Sequence, residues 1–394
     1  MNTKFALAAV LAASAGLAQA ESDLSLARSY ELTDAASEYE SLLSSNNAAN
    51  VTVGGQVQVR YQVNLRDDDG LGDDDTTLGF SIRRSKVWVK GDVTDNISAK
   101  VQLAFDRDGG DAILEDAYAD WEISEDLTLR IGQFKTQLIR EENVSSSRQL
   151  ASDRSVVNES LNMDRSQGIE AHFGGDSWRG AVGFTDGLDT ANTTFSSSAE
   201  ADWALNARFE FLFGDAEWSQ FKQFTSWRGS NAGGLLGAAI AWQTMGDTNP
   251  SDPAGSSDTL TGTVDFSWVA DGWNFYAAGI WQNMDTPTAD MDTFGIVAQG
   301  GVFVTDQDEL FGRYNIFMPD SDNAPLDEDY SAITIGWNHY LVPESHAAKF
   351  TLDLTWNLDD TAGSTGLSTS DGINLLDSSE EDQIAITGQF QFLF

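Results

Sequence analysis

The chain has 394 residues, no cysteine, and 62 acidic against 22 basic residues, a formal charge of −40. That balance argues against nucleic acid as a partner, since nucleic acid needs basic patches. A mean hydropathy of −0.29, with no apolar run near about 20 residues after the N-terminal segment, excludes helical membrane spans but leaves room for a β-barrel, whose strands are only half apolar.

Residues 1–20 carry Lys4, the apolar run FALAAVLAASAGLA and then Ala18-Gln19-Ala20. A charged start, a short apolar core and small residues two apart predict a secretory signal peptide cleaved after Ala20. Its removal takes one Lys and no acid, so −40 becomes −41. An exported chain without disulfides needs a large core or a closed hydrogen-bonded structure for stability.

Residues 21–50 are the one helical stretch: Leu32, Ala35, Ala36, Tyr39, Leu42 and Leu43 fall at helical spacing before SSNNAAN breaks the pattern. Two readings stand for it, a short coiled-coil or plug-like periplasmic element and a solvated amphipathic leader.

From Val51 the period becomes two. Val57, Val59, Tyr61 and Val63 face one way, and Gln56, Gln58, Arg60, Gln62 and Asn64 the other. Such stripes run for about ten residues, the length of a tilted membrane-crossing strand rather than of an average soluble one. Strands are predicted at 51–64, 79–92, 97–106, 113–123, 126–134, 166–174, 177–186, 201–213, 234–245, 259–269, 273–283, 292–304, 309–318, 329–340, 347–358 and 382–394. Their connections alternate long and short, as in outer-membrane barrels. Residues 214–233 break the rule, being long where a tight turn is expected. The expected fold is a sixteen-stranded antiparallel transmembrane β-barrel over 51–394. The closing stripe Ile384, Ile386, Phe390, Phe392, Phe394 would then face lipid, and Trp268, Trp273, Trp281, Trp337 and Trp356 would supply further lipid-facing and interfacial aromatics. The terminal Phe394 also looks like a signal for the barrel-assembly machinery.

The most informative stretch is Ile131 to Phe173. It holds GQFK at Gly132–Lys135, then Glu142, SSSRQL at Ser145–Leu150, Asp153-Arg154-Ser155, and a return into Gly168-Ile169. With the Arg83-Arg84 pair and the closing QFQFLF, this resembles the phosphate-selective porin O and P family. The resemblance implies an outer-membrane barrel, a homotrimer, with its third loop folded inward to narrow the pore, and places Arg83, Arg84 and Lys135 at anion-contacting positions. It departs at Gln137, where the family usually has Pro, and in its acidity.

Charge placement points to a lined pore independently. Of the 22 Lys and Arg, 18 lie between Arg60 and Arg228. The predicted pore-lining cations are Arg60, Arg83, Arg84, Lys100, Arg130, Lys135, Arg140, Arg148, Arg154 and Arg165. A positive strip in a constriction lowers the cost of stripping water from an anion. Arg83 and Arg84 cannot both point inward on a regular strand, so a bulge is required. The alternative is that these bases pair with Glu141, Glu142, Asp153, Glu159, Asp164, Asp116, Asp120 and Glu122 and merely stiffen the loop.

Asp67–Asp75 and the acidic clusters near 320–329 and 377–382 read as a hydrated rim; the spacing of a calcium loop is absent. That rim draws cations and leaves a general or cation-preferring porin open. No metal site, cofactor or catalytic set is predicted: His172, His339 and His346 stand outside any nucleophile or metal motif. The expected function is a passive diffusion channel for small ions and polar solutes, against a non-conducting structural or adhesive barrel.

Overall fold

The computed structural model describes residues 50–394 apart from 67–74, 106–109, 189, 196, 198–199, 246–255, 321–328, 361–375 and 377–379. The predicted signal peptide and helical segment, and the acidic runs at 67–74, 321–328 and 377–379, lie outside the described residues.

Sixteen strands form one closed antiparallel barrel in which β1 pairs with β16. They are β1 Val51–Arg66, β2 Asp75–Thr94, β3 Ile97–Phe105, β4 Ala112–Ser124, β5 Leu127–Lys135, β6 Arg165–Gly174, β7 Trp178–Thr185 and β8 Trp203–Gly214. The second half comprises β9 Gly233–Met245, β10 Ser257–Ala270, β11 Trp273–Asp285, β12 Asp290–Phe303, β13 Asp308–Met318, β14 Tyr330–Tyr340, β15 Ala348–Asn357 and β16 Ile384–Leu393. Every predicted strand is found, with ends displaced by a few residues at most; β2 starts earliest, four residues ahead of its predicted start. Closure satisfies the backbone groups that an open sheet would leave bare at its edges.

The two-residue period sorts side chains as predicted. Gln56, Gln58, Arg60 and Asn64 of β1 are buried inside, while Phe80 (81%), Val264 (59%) and Ile335 (57%) stand on the outer face with no second sheet over them. At the seam Phe390 packs on Phe350 and stacks with Phe392, and the amide of Gly55 donates to the carbonyl of Phe394. The indole N–H groups of Trp281, Trp337 and Trp356 donate to Asp292, Asp308 and Asp382. Each ring is thereby tied to an acid while its body remains on the outer wall.

Four register slips interrupt the ladder among the described residues: two sit beside the tight turns, at Asp92/Thr94 and Glu122/Ser124, and two lie farther along the strands. Pairing slips between Gln58 and Val59, so Arg83 has no residue opposite it and both Arg83 and Arg84 turn inward. A second slip between Gln102 and Leu103 does the same for Glu115 and Asp116. The first bulge follows from the adjacent arginines; the second was not anticipated.

Two segments occupy the lumen. Residues 136–164, between β5 and β6, hold a short helix α1 (Arg140–Asn143), a 3-10 turn at Ser146–Arg148 and a helix α2 (Val156–Leu161). Their Leu138, Ile139, Val144, Leu150, Val156, Val157 and Leu161 form one buried apolar cluster with Ala241, Tyr276, Ala278, Ile280, Val297 and Ala332 of β9, β11, β12 and β14. A Cβ on Gly295 would lie 2.4 Å from Val157 Cγ1, so the bare backbone there makes the seat for α2. On this side the lumen therefore holds a small hydrophobic core rather than only polar side chains. The anomalous connection between β8 and β9 is the second segment: it too folds inward, from the short-turn end.

Candidate pore lining and constriction

The loop 136–164 leaves β5 through the GQFK run. Gly132 sits at φ +130, and a Cβ there would meet the carbonyl oxygen of Ala117 at 2.2 Å, so only glycine lets the β4–β5 pair close at this point. Once inside, the loop reaches the far wall. Lys349 of β15, Asn338 of β14 and Gln391 of β16 donate to the carbonyls of Gln149, Leu150 and Ser147. Ser155 caps α2 by accepting from Asn158 N, and its own hydroxyl and amide donate to Glu141 at 2.6 and 2.7 Å.

The ten predicted lining cations are brought into the lumen, and eight of them are ion-paired. Asp153 at the loop's turn binds Arg60 at 2.7 Å, Arg83 at 2.9 Å and Arg84 at 3.5 Å, so three guanidinium groups share one carboxylate. Burial alone would raise the Asp153 carboxyl, but the three arginines outweigh it and hold it well below the usual range. Lys100 pairs with Asp116 at 2.6 Å and Arg130 with Asp120 at 2.7 Å. Arg165 reaches Asp116 at 2.8 Å, Asp164 at 3.0 Å and Glu115 at 3.4 Å. Lys135 and Arg154 share Glu142; burial works to raise its carboxyl, and the two cations bring it to about 2. Glu141 stands 3.7 Å from Arg313, and Glu159 is pushed up, chiefly by burial.

These groups surround two openings. Toward the long-loop end lies a cavity of about 310 Å³ lined by Arg84, Lys86, Glu115, Lys135, Glu142 and Arg154, among others, where cations and acids alternate. Toward the short-turn end lies one of about 400 Å³ between the loop, β5–β8 and the inward turn. Its cations are Arg130, Arg140, Arg148, Arg179, Arg208 and Lys222, and Glu210 is the acid lining it. Arg208 and Arg179 both bind Glu210, and Arg208 also binds Asp265 at 2.8 Å. Among the described residues, no carboxylate oxygen lies within 4.0 Å of the charged nitrogens of Arg140, Arg148 or Lys222. Arg140 instead donates to Ser267 Oγ at 2.7 Å and to the carbonyl of Phe221 at 2.8 Å.

Sequence reasoning missed Arg179, Arg208 and Lys222 as lining residues. The first two have the lumen parity of their strands and were legible on that ground. Lys222 lies on a connection with no period to read. His172 faces the lumen, as its parity indicates, and lies 2.9 Å from Glu170.

The sequence profile of the phosphate-selective porin O and P family matches residues 51–392. The chain belongs to that family. This porin is an outer-membrane diffusion channel, and its family and fold are those of a channel rather than of an enzyme. Solved structures share the barrel at low identity. OmpT of Vibrio cholerae is 13% identical, with a TM-score of 0.57 over 89% of this porin and 99% of that chain. An anion-selective porin from Comamonas acidovorans is 14% identical, with a TM-score of 0.58 over 88% and 100%. OprB of Pseudomonas putida is 11% identical, with a TM-score of 0.57 over 92% and 97%. Among curated proteins, none matches.

Proposed function

We propose that this porin prefers small anions, which pass between the basic wall of β2–β8 and the loop 136–164. The observation that carries this reading is the group Arg140, Arg148 and Lys222 in the short-turn chamber, three cations with no carboxylate oxygen within 4.0 Å among the described residues, in a chain of −40. Paired cations largely cancel at the distance of a passing ion; unpaired ones do not. The chamber toward the long-loop end, where Arg84 is bound to Asp153 and Lys135 to Glu142, is an entry of nearly balanced charge. The barrel of the anion-selective porin from Comamonas acidovorans, similar in fold, supports the reading.

The same reading includes cleavage of residues 1–20 on export, the short turns facing the periplasm, acyl chains against the outward rows, assembly through the barrel machinery at Phe394, and a homotrimer. An OmpT structure from Vibrio cholerae is described as a trimer form.

Ion replacement on single channels tests the preference. Exchanging chloride for a bulky organic anion is expected to cut conductance several-fold, by roughly the same logic of width and charge that governs any filter. Exchanging potassium for a bulky cation should change it little. A larger drop on cation exchange would refute the preference.

A further inference from the structure

The turn 215–232 is too well anchored to be an incidental excursion. From β8 and β9 it runs across the short-turn mouth to β14. Its 3-10 turn, Trp218–Lys222, packs Phe221 on Leu212, Leu235 and Val269, the inward residues of β8, β9 and β10. Phe224 lies 4.8 Å from the ring of Tyr276, and its amide donates to the carbonyl of Arg148 at 3.2 Å. Thr225 Oγ1 is 2.8 Å from the Tyr340 hydroxyl and donates to Glu309 at 3.3 Å. The Trp227 ring is held by Phe303, Tyr340 and His346 at 4.7–5.5 Å between centroids.

Two of these contacts reach the pore itself. The Arg140 guanidinium lies 5.7 and 5.6 Å from the Phe221 and Phe224 ring centroids and donates to the Phe221 carbonyl, so the turn fixes the position of a lining cation. Lys222, on the turn itself, adds a second cation through its side chain.

We propose that the turn 215–232 is an internal floor that sets both the width and the selectivity of this channel. It covers the β9–β14 side of the mouth, leaves the Arg-lined chamber beside β5–β8 as the passage, and supplies or positions two of that chamber's unpaired charges. The width half of this inference stands on packing alone; the selectivity half rests on the anion preference proposed above.

The test uses the full-length porin in planar bilayers. One variant replaces residues 217–231 with a tight turn. A second, Trp227→Ala with Thr225→Val, keeps the length and removes the anchor, in case the first does not assemble. Folded barrel is verified by its heat-modifiable migration in detergent gels. Single-channel conductance is expected to rise about twofold or more as the floor leaves, and the anion-to-cation permeability ratio to fall toward that of free solution. Folded variants with unchanged conductance would overturn the floor. A rise in conductance from a parent channel that prefers cations would uphold the floor and overturn the anion preference instead.

Discussion

Asp153→Asn is expected to loosen the loop 136–164 from the barrel wall and to lower the temperature at which the folded barrel is lost. The substitution removes the carboxylate that Arg60, Arg83 and Arg84 share, and Arg60 is 1% exposed. Breaking a buried pair while leaving the partner charge in place costs about 3–5 kcal/mol. Part of that will be relieved by Gln389, which accepts from Arg60, and by water entering from the chamber toward the long-loop end. The loss is read as earlier heat-modifiability in detergent and as noisier open-channel current. A melting profile and current trace matching the parent would show that the node holds nothing.

The pH dependence of that node has a definite sign. Because the folded Asp153 carboxyl is depressed, its contribution is complete above the ordinary value of about 4 and is lost only as pH falls through the lower, folded value. Glu142, at about 2, behaves alike. The parent loop therefore remains docked from neutrality down to about pH 4, and the stability gap between parent and Asp153→Asn should be constant over that range.

Arg148→Gln with Lys222→Gln is expected to cut the anion-to-cation permeability ratio, and adding Arg140→Gln to cut it further. In water each unpaired charge about 8 Å from a passing ion contributes roughly 0.5 kcal/mol, so three together favour a monovalent anion by about tenfold. The effect should shrink in molar salt, where screening acts within about 3 Å. Arg148 and Lys222 have no side-chain hydrogen bonds among the described residues, so their loss leaves the fold intact; Arg140 also ties the loop to the inward turn. Lys135→Gln supplies the contrast. Its charge is already met by Glu142, and the substitution should disturb loop docking more than selectivity. Equal selectivity changes at paired and unpaired positions would contradict the assignment.

Much of this barrel was legible because a membrane strand carries its own address. Alternation in β1, β8 and β16 tells which side chains point outward, and the placement of long and short connections gives the strand count. Adjacent Arg83 and Arg84 even required a bulge. Other features depend on contacts that sequence proximity does not encode. Strand β9 reads GGLLGAAIAW, apolar on both faces. What packs on its inner face, the apolar side of the loop 136–164, is set by contacts far along the chain. The pairing of Glu115 and Asp116 toward the lumen depends on a one-residue slip in register. The length of 214–233 announced an irregular turn, whereas its inward course is set by Tyr276, Glu309 and Tyr340, strands away. Which cations are free was least legible of all, because it depends on where each acid ends up rather than on how many there are.

The most direct measurement is the zero-current potential of the parent porin in an about tenfold KCl gradient at low ionic strength, where the lining charges are least screened. Unpaired Arg140, Arg148 and Lys222 place it on the chloride side of zero. A potential on the potassium side would mean that the acids, not the basic wall, govern what passes.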